Sequence, residues 1–272
     1  MLCSDVGCWC AQRSPQHSEK PVSLDPNLDD PRAIASLIDH TLLKPEATRN
    51  DIARLCSEAR EFSFASVCVN PCWVSFVAEM LAGSPVKVCT VIGFPLGANE
   101  TAAKLCEAEL ALSHGAKELD MVQNIGALRS QEVDSVRHEI AELAKVAHSH
   151  SAILKVILET CLLTGDEKVA ACRIAAEARA DFVKTSTGFS TAGATVEDVK
   201  LMRKTVGEAL GVKASGGIRT LESLRAMVAA GATRIGTSSG VAILASLNAP
   251  QPPETPAPLH AAKVPGGYLD TY

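Results

Sequence analysis

Two lysines stand where a purely structural protein has little use for them. Lys184 lies in Asp-Phe-Val-Lys-Thr-Ser-Thr-Gly (181–188), and Lys213 lies in Val-Lys-Ala-Ser-Gly-Gly-Ile (212–218). Each segment reads as a buried strand breaking into a glycine turn, and lysine is almost never fully buried without a partner. Asp120, in Lys-Glu-Leu-Asp-Met-Val-Gln-Asn (117–124), has the same apolar surroundings. Three ionisable groups on three buried strands are expensive as mere packing. Neighbouring strands lie ~4.8 Å apart, so the two lysine nitrogens can approach to about 5 Å. At an effective dielectric of about 20 their repulsion is roughly 3 kcal/mol; with desolvation this brings one of the pair to a pKa of about 7–8. A neutral amine beside a cation is a nucleophile for carbonyl carbon. A carboxylate such as Asp120 opposes the effect on whichever lysine it touches, so spacing leaves open which one is neutral.

Other polar residues fall near the same strand ends. Asp39 and Thr41 precede one break, and Lys155 and Glu159 lie four apart on another predicted strand. That spacing puts Lys155 and Glu159 on one face, where they read as members of a structural charge network. Two glycine clusters suit an anion. Ser215-Gly216-Gly217 follows one strand, and Gly236-Thr237-Ser238-Ser239-Gly240 follows the next and opens a helix; Thr185-Ser186-Thr187-Gly188 offers a third wall. Backbone N–H groups at such turns and at a helix N-terminus face phosphate oxygens. The histidines show no metal-ligand spacing: His148 and His150 read as exposed, and His40 as structural.

The elements that must carry these residues alternate. Short β-branched runs occur at 36–41, 64–69, 86–92, 118–123, 153–159, 181–185, 212–215 and 233–236, separated by helical stretches at about 48–61, 72–82, 99–114, 131–149, 165–179, 195–209, 220–230 and 239–247. Thr195 and Thr220 precede acids in first turns, and Gly83, Gly115, Gly211 and Gly231 sit where helices should stop. Eight strand–helix units predict an α/β fold, a single (β/α)8 TIM barrel, whose site lies at the C-terminal ends of the strands and whose phosphate groove follows strands seven and eight. An open doubly wound sheet lacks its usual glycine signature here. The expected organisation is a flexible tail over 1–30, a barrel over 31–248 and a proline-rich tail over 249–272.

Composition narrows the function. A net charge of −5 argues against nucleic-acid or anionic-membrane binding, and no apolar run approaches the ~20 residues needed to span a bilayer. The N-terminus lacks the basic and apolar regions of a signal peptide. Seven of the ten cysteines (Cys56, Cys68, Cys72, Cys89, Cys106, Cys161, Cys172) are scattered through the predicted elements and read as small buried hydrophobes in a reducing cytoplasm. Cys3, Cys8 and Cys10 cluster in the tail without a complete metal-ligand pattern.

At these residues the chain resembles the deoxyribose-phosphate aldolases, a family of class I (Schiff-base) aldolases. The matching segments are Leu-Ile-Asp-His-Thr-Leu-Leu-Lys-Pro (37–45), Cys-Val-Asn-Pro (68–71), Val-Ile-Gly-Phe-Pro-Leu-Gly (91–97), Glu-Leu-Asp-Met-Val-Gln-Asn (118–124), Phe-Val-Lys-Thr-Ser-Thr-Gly-Phe (182–189) and Val-Lys-Ala-Ser-Gly-Gly-Ile-Arg (212–219). The resemblance implies reversible cleavage of 2-deoxy-D-ribose 5-phosphate to D-glyceraldehyde 3-phosphate and acetaldehyde, without metal or cofactor. It implies that Lys184 forms the Schiff base, that Lys213 keeps it neutral, and that Asp120 serves the proton relay. Asp39 and Thr41 would position substrate, and Gly188, Gly216, Gly217, Gly236, Ser238 and Ser239 would surround the phosphate. Tyr272, at the end of a tail of the kind the family can carry, would assist proton transfer. Small sugar-phosphate and aldehyde substrates are the implied partners, and assembly as a homo-oligomer is left open. A different sugar-phosphate aldolase, or a non-catalytic sugar-phosphate binder on the same fold, is the alternative.

Overall fold

The computed structural model describes residues 27–247. The expectations for Tyr272, for the Cys3–Cys8–Cys10 cluster and for the 249–272 tail lie outside these residues. Eight parallel strands close into one barrel in sequence order: β1 (Ile38–Leu42), β2 (Ser66–Val69), β3 (Lys87–Ile92), β4 (Glu118–Val122), β5 (Ile153–Ile157), β6 (Phe182–Lys184), β7 (Gly211–Ser215) and β8 (Arg234–Thr237). Closure is made by β1 against β8, with Asp39 opposite Gly236. Helices cover the outside, so every residue of β2 and β4 is buried, as a sheet covered on both faces requires.

Local chemistry sets the helix ends. Thr195 Oγ1 accepts from Asp198 N at 3.0 Å and Thr220 Oγ1 from Ser223 N at 3.1 Å, as the sequence suggested. Thr48 with Asp51 and Thr164 with Glu167 form full capping boxes. The glycine assignment fails at Gly211. The helix Val196–Val206 stops at Gly207, whose φ is +58°, whereas Gly211 begins β7. A Cβ on Gly211 would lie 2.1 Å from the Phe182 ring, so space rather than turn geometry requires glycine there.

Three further differences bear on the site. β5 ends at Ile157, so Glu159 is not on its face; it sits past the strand at φ +56°. A short helix, Ile125–Arg129, follows β4 because the Asn124 side chain accepts from Ala127 N at 3.0 Å. Residues 27–30 already pack: Asp30 caps the helix Pro31–Ala35, and Arg225 donates to the Leu28 carbonyl at 3.0 Å. Of the seven scattered cysteines, Cys56, Cys68, Cys89 and Cys172 are buried, but Cys72 and Cys106 are exposed on outward turns of their helices. No described helix is long and apolar enough to cross a membrane.

Candidate active site

The strand order converts distant sequence positions into one charged cup inside the barrel. Lys184 and Lys213 are directly opposed on β6 and β7, and Lys213 is directly opposed to Arg234 on β8. Adjacent residues of parallel strands point the same way, so three basic side chains line up. Asp120 on β4 is opposed to Lys155 on β5. Lys184 Nζ and Lys213 Nζ each donate to the same oxygen, Asp120 Oδ2, at 2.7 Å. The nitrogens are therefore at most twice that distance apart, the proximity the sequence called for. The anion, however, lies between them and touches both.

The rest of the cup was not legible from spacing. Asp39 is fully buried and accepts from Lys213, from Arg234 at 2.6 Å and from Ser66 Oγ at 2.6 Å. Its place is under Lys213, not in the pocket wall where a substrate-positioning group would stand. Lys155 pairs with Glu118 at 2.6 Å and Asp120 Oδ1 at 2.8 Å on β4 and lies 3.8 Å from Asp39 on β1, so it joins a charge network that does not include Glu159. Arg234 also reaches Glu118 at 3.1 Å. Lys155, Glu118 and Arg234 complete a network of three carboxylates and four basic groups. One basic side chain in the cup thus lacks a carboxylate of its own.

Burial alone would raise the Asp120 carboxyl, but Lys155, Lys184 and Lys213 outweigh it and hold it well below the usual range. Burial likewise opposes ionisation of Asp39, and Arg234, Lys213 and Lys155 overcome it in the same direction. On the cation side burial disfavours charge, yet Asp120 and Asp39 keep Lys213 raised, and Asp120, Cys89 and Glu118 keep Lys155 raised. Lys213 is a fixed ammonium. Cys68, Cys89 and Asp120 bring potential metal-ligating atoms within 4.8 Å of one another, as do Asp39, Cys89 and Glu118. Lys155 Nζ is 3.5 Å from Cys89 Sγ and bonded to both Asp120 and Glu118, so an ammonium already serves these donors. Burial also pushes the Cys89 thiol well up, which makes it a poor thiolate ligand.

Above the cup lies a pocket of about 400 Å³. Lys184 lines it, whereas Asp120 and Lys213 stay beneath its floor. Of the residues assigned to substrate, Thr41, Gly188, Gly216, Gly217, Gly236 and Ser238 line this pocket. Ser239 stands one step behind, its N–H donating to Thr237 Oγ1 at 2.9 Å. Gly216 has φ +87°, and a Cβ there would lie 2.9 Å from the Gly193 Cα. Gly236 has a second reason to be glycine: a Cβ would come within 3.0 Å of Lys213 Cε. Thr187, in the third wall the sequence offered, also lines the pocket, as do Lys44 and Arg219, to which the sequence reading gave no role. Arg219 follows directly on the Ser-Gly-Gly-Ile turn, a signal that could have been used. His40 is structural as expected, buried with Nε2 2.6 Å from Glu58, and His148 pairs with Asp181 at 2.9 Å.

A deoxyribose-phosphate aldolase of Lysinibacillus sphaericus is 61% identical over 213 residues, covering 78% of this chain and 95% of the relative. One from Listeria monocytogenes is 60% identical over 211 residues, covering 78% and 94%. Among solved structures, a tetrameric deoxyribose phosphate aldolase from Aeropyrum pernix superposes with a TM-score of 0.75 at 38% identity, over 80% of this chain and 92% of that one. Residues 33–246 match the DeoC/LacD family aldolase profile; the chain belongs to that family of aldolases.

Proposed function

We propose that the protein cleaves 2-deoxy-D-ribose 5-phosphate reversibly to D-glyceraldehyde 3-phosphate and acetaldehyde through a Schiff base on Lys184. The observation that carries this reading is the shared Asp120 oxygen. Lys213 has Asp39 as well, and Lys155 has Glu118, while Lys184 has only an oxygen that Lys213 also occupies. Lys184 is also the network member that reaches the pocket. It is the amine available to a carbonyl carbon.

In the reaction, Lys184 Nζ attacks C1 of the open-chain sugar, and water leaves to give an iminium. The C3 hydroxyl gives up its proton to solvent held by the Asp120 carboxylate and the Lys213 ammonium. The C2–C3 bond then breaks, and its electron pair moves into the iminium. Glyceraldehyde 3-phosphate departs, the enamine takes a proton at C2, and water releases acetaldehyde and restores the amine. The fixed Lys213 ammonium stabilises developing negative charge without reorganising. Thr41 sits on the β1 side of the pocket, where it can orient the sugar, and the glycine turns after β6, β7 and β8 receive the phosphate. A cytosolic role in deoxyribonucleotide breakdown fits the seven free cysteines among the described residues. Assembly into homo-oligomers belongs to the same reading, supported by the tetrameric relative.

Borohydride reduction in the presence of substrate should leave a covalent mass on Lys184. Lys184→Leu should show neither adduct nor turnover. Wild-type protein that makes deoxyribose 5-phosphate from acetaldehyde and glyceraldehyde 3-phosphate without any trappable adduct would sink the mechanism.

A further inference from the structure

Glu159 holds a conformation that its residue type does not favour. It follows β5 with φ +56° and ψ 63°, the left-handed region, which a side-chain-bearing residue disfavours and glycine adopts freely. Its carboxylate is nonetheless buried, with 2% of the residue exposed, and all its hydrogen bonds from backbone and hydroxyl groups come from one residue. Thr187 Oγ1 donates to Oε2 at 2.5 Å, and Thr187 N lies 3.3 Å from Oε1 and 3.4 Å from Oε2. Because the Thr187 hydroxyl proton is committed to Glu159, its lone pairs are free to accept from Phe189 N at 3.0 Å.

The segment so held is the loop that leaves β6 immediately after Lys184. Residues 188–192 of that loop are exposed, and the loop is anchored at both ends. At the far end Ala194 N donates to the Ser215 and Gly216 carbonyls at 3.1 Å. That anchor is backbone on backbone, with no room for a Cβ at Gly193, 2.1 Å from Gly216 O. At the near end Thr160 N donates to the Thr185 carbonyl at 2.9 Å and Ser215 Oγ to the Ser186 carbonyl at 2.7 Å, and from Thr187 onward the hold is the Glu159 side chain. Between them Thr187 and Gly188 line the pocket, and Phe189 packs edge-on against Phe94 at 5.2 Å.

We infer that Glu159 is a positioning residue that sets the protein's preference for phosphorylated sugars, by fixing Thr187 and hence the Gly188 wall of the pocket. The inference rests on the aldolase reading above for its substrate, though its effect on anion binding does not. Charge-assisted hydrogen bonds to one residue, once lost, loosen the loop from that residue onward and weaken what it contacts. Lys184 is held by β6 and Asp120, so the chemical step is spared.

Glu159→Gly separates this role from a merely structural one, because glycine suits the left-handed backbone and removes only the side chain. Steady-state rates would be compared with 2-deoxyribose 5-phosphate and with 2-deoxyribose. Inorganic phosphate binding would be measured by calorimetry on wild type and variant. The expected outcome is a KM for the phosphorylated sugar raised about tenfold, kcat within about twofold, and unchanged kinetics for the unphosphorylated sugar. Glu159→Gln, which keeps an acceptor but not the charge, should fall between, and Thr187→Val combined with Glu159→Gly should add little to either alone. Wild-type phosphate affinity and sugar preference in Glu159→Gly would overturn the inference, as would an equal loss with both sugars. If wild type yields no acetaldehyde and no adduct while phosphate binding still weakens in Glu159→Gly, the aldolase reading fails and this one stands.

Discussion

Two of the places where the molecule buries charge treat it in opposite ways. Between the helices Thr101–Ser113 and Val133–Ser149, Lys104 pairs with Glu139 at 2.8 Å. Each has one backbone partner in addition: Lys104 Nζ donates to Val122 O at 2.9 Å, and Glu139 Oε1 accepts from Asn124 N at 3.2 Å. There burial wins, lowering the Lys104 ammonium and raising the Glu139 carboxyl despite their attraction. In the barrel cup, Asp120 meets three ammonium groups, and attraction wins on both signs of charge. A lone pair of opposite charges barely recovers the cost of leaving water, whereas Asp39, Asp120, Lys155 and Lys213 are each stabilised by several neighbours at once. The isolated pair ties two helices to the end of β4; the network holds the Lys213 ammonium fixed beside Lys184, the proposed nucleophile.

Breaking the network should have the largest effect. Lys213→Leu is expected to lower kcat/KM by roughly 10³-fold, about 4 kcal/mol at the transition state. Its activity optimum should move to higher pH, because one ammonium fewer stands beside the nucleophile. A full-activity Lys213→Leu enzyme with an unmoved optimum would show that the network is not the source of reactivity. Breaking the isolated pair acts on stability instead. Lys104→Met leaves Glu139 buried alone and should cost about 3 kcal/mol in urea unfolding, with the residual folded enzyme keeping its KM. Replacing both, as Lys104→Met with Glu139→Leu, should recover most of that loss; a double variant as unstable as the single would mean the pair contributes more than it costs.

Acid titration sharpens the contrast with a smaller signal. Asp39 and Asp120 bind protons less readily in the fold than in the unfolded chain, so their contribution is full above about pH 4 and is lost as pH falls below it. Glu139 has the opposite sign: its carboxyl is raised, so its contribution is present below the usual carboxylate pKa and is lost as pH rises through the folded value. Asp120→Asn should therefore flatten the acid limb of stability against pH, and Glu139→Gln should not. The same slope in both variants would erase the distinction.

Much of this was legible in the chain. Eight alternating units, and polar residues placed at strand ends, led to the barrel and to Asp120, Lys184 and Lys213 together, because a barrel's strand ends converge whatever their separation in sequence. What stayed hidden depends on contacts across the interior. Arg234 opens a recognisable strand, but nothing local to it announces Asp39, 195 residues away. Placing Glu159 on one face with Lys155 failed because it assumed the strand continued, whereas β5 ends at Ile157 and Glu159 turns left-handed beyond it; Lys155 does join a charge network. Gly211 misled for a related reason: glycine marks both a stop and a tight fit, and only the position of the Phe182 ring tells them apart.

The seam between β1 and β8 joins the first strand of the barrel to the last. Lys213 meets Asp39 across 174 residues of chain, close to that seam. A nascent or half-assembled barrel would leave Asp39 facing no counter-ion, and Arg234 and Lys213 repelling each other. Electrostatic frustration of this kind empties partly folded states and makes ring closure all-or-none, at the expense of slow assembly through distant contacts. Lys184 acquires its charged surroundings only on completion of the ring, so a truncated or unfinished barrel would carry the proposed nucleophile without the groups that are to activate it.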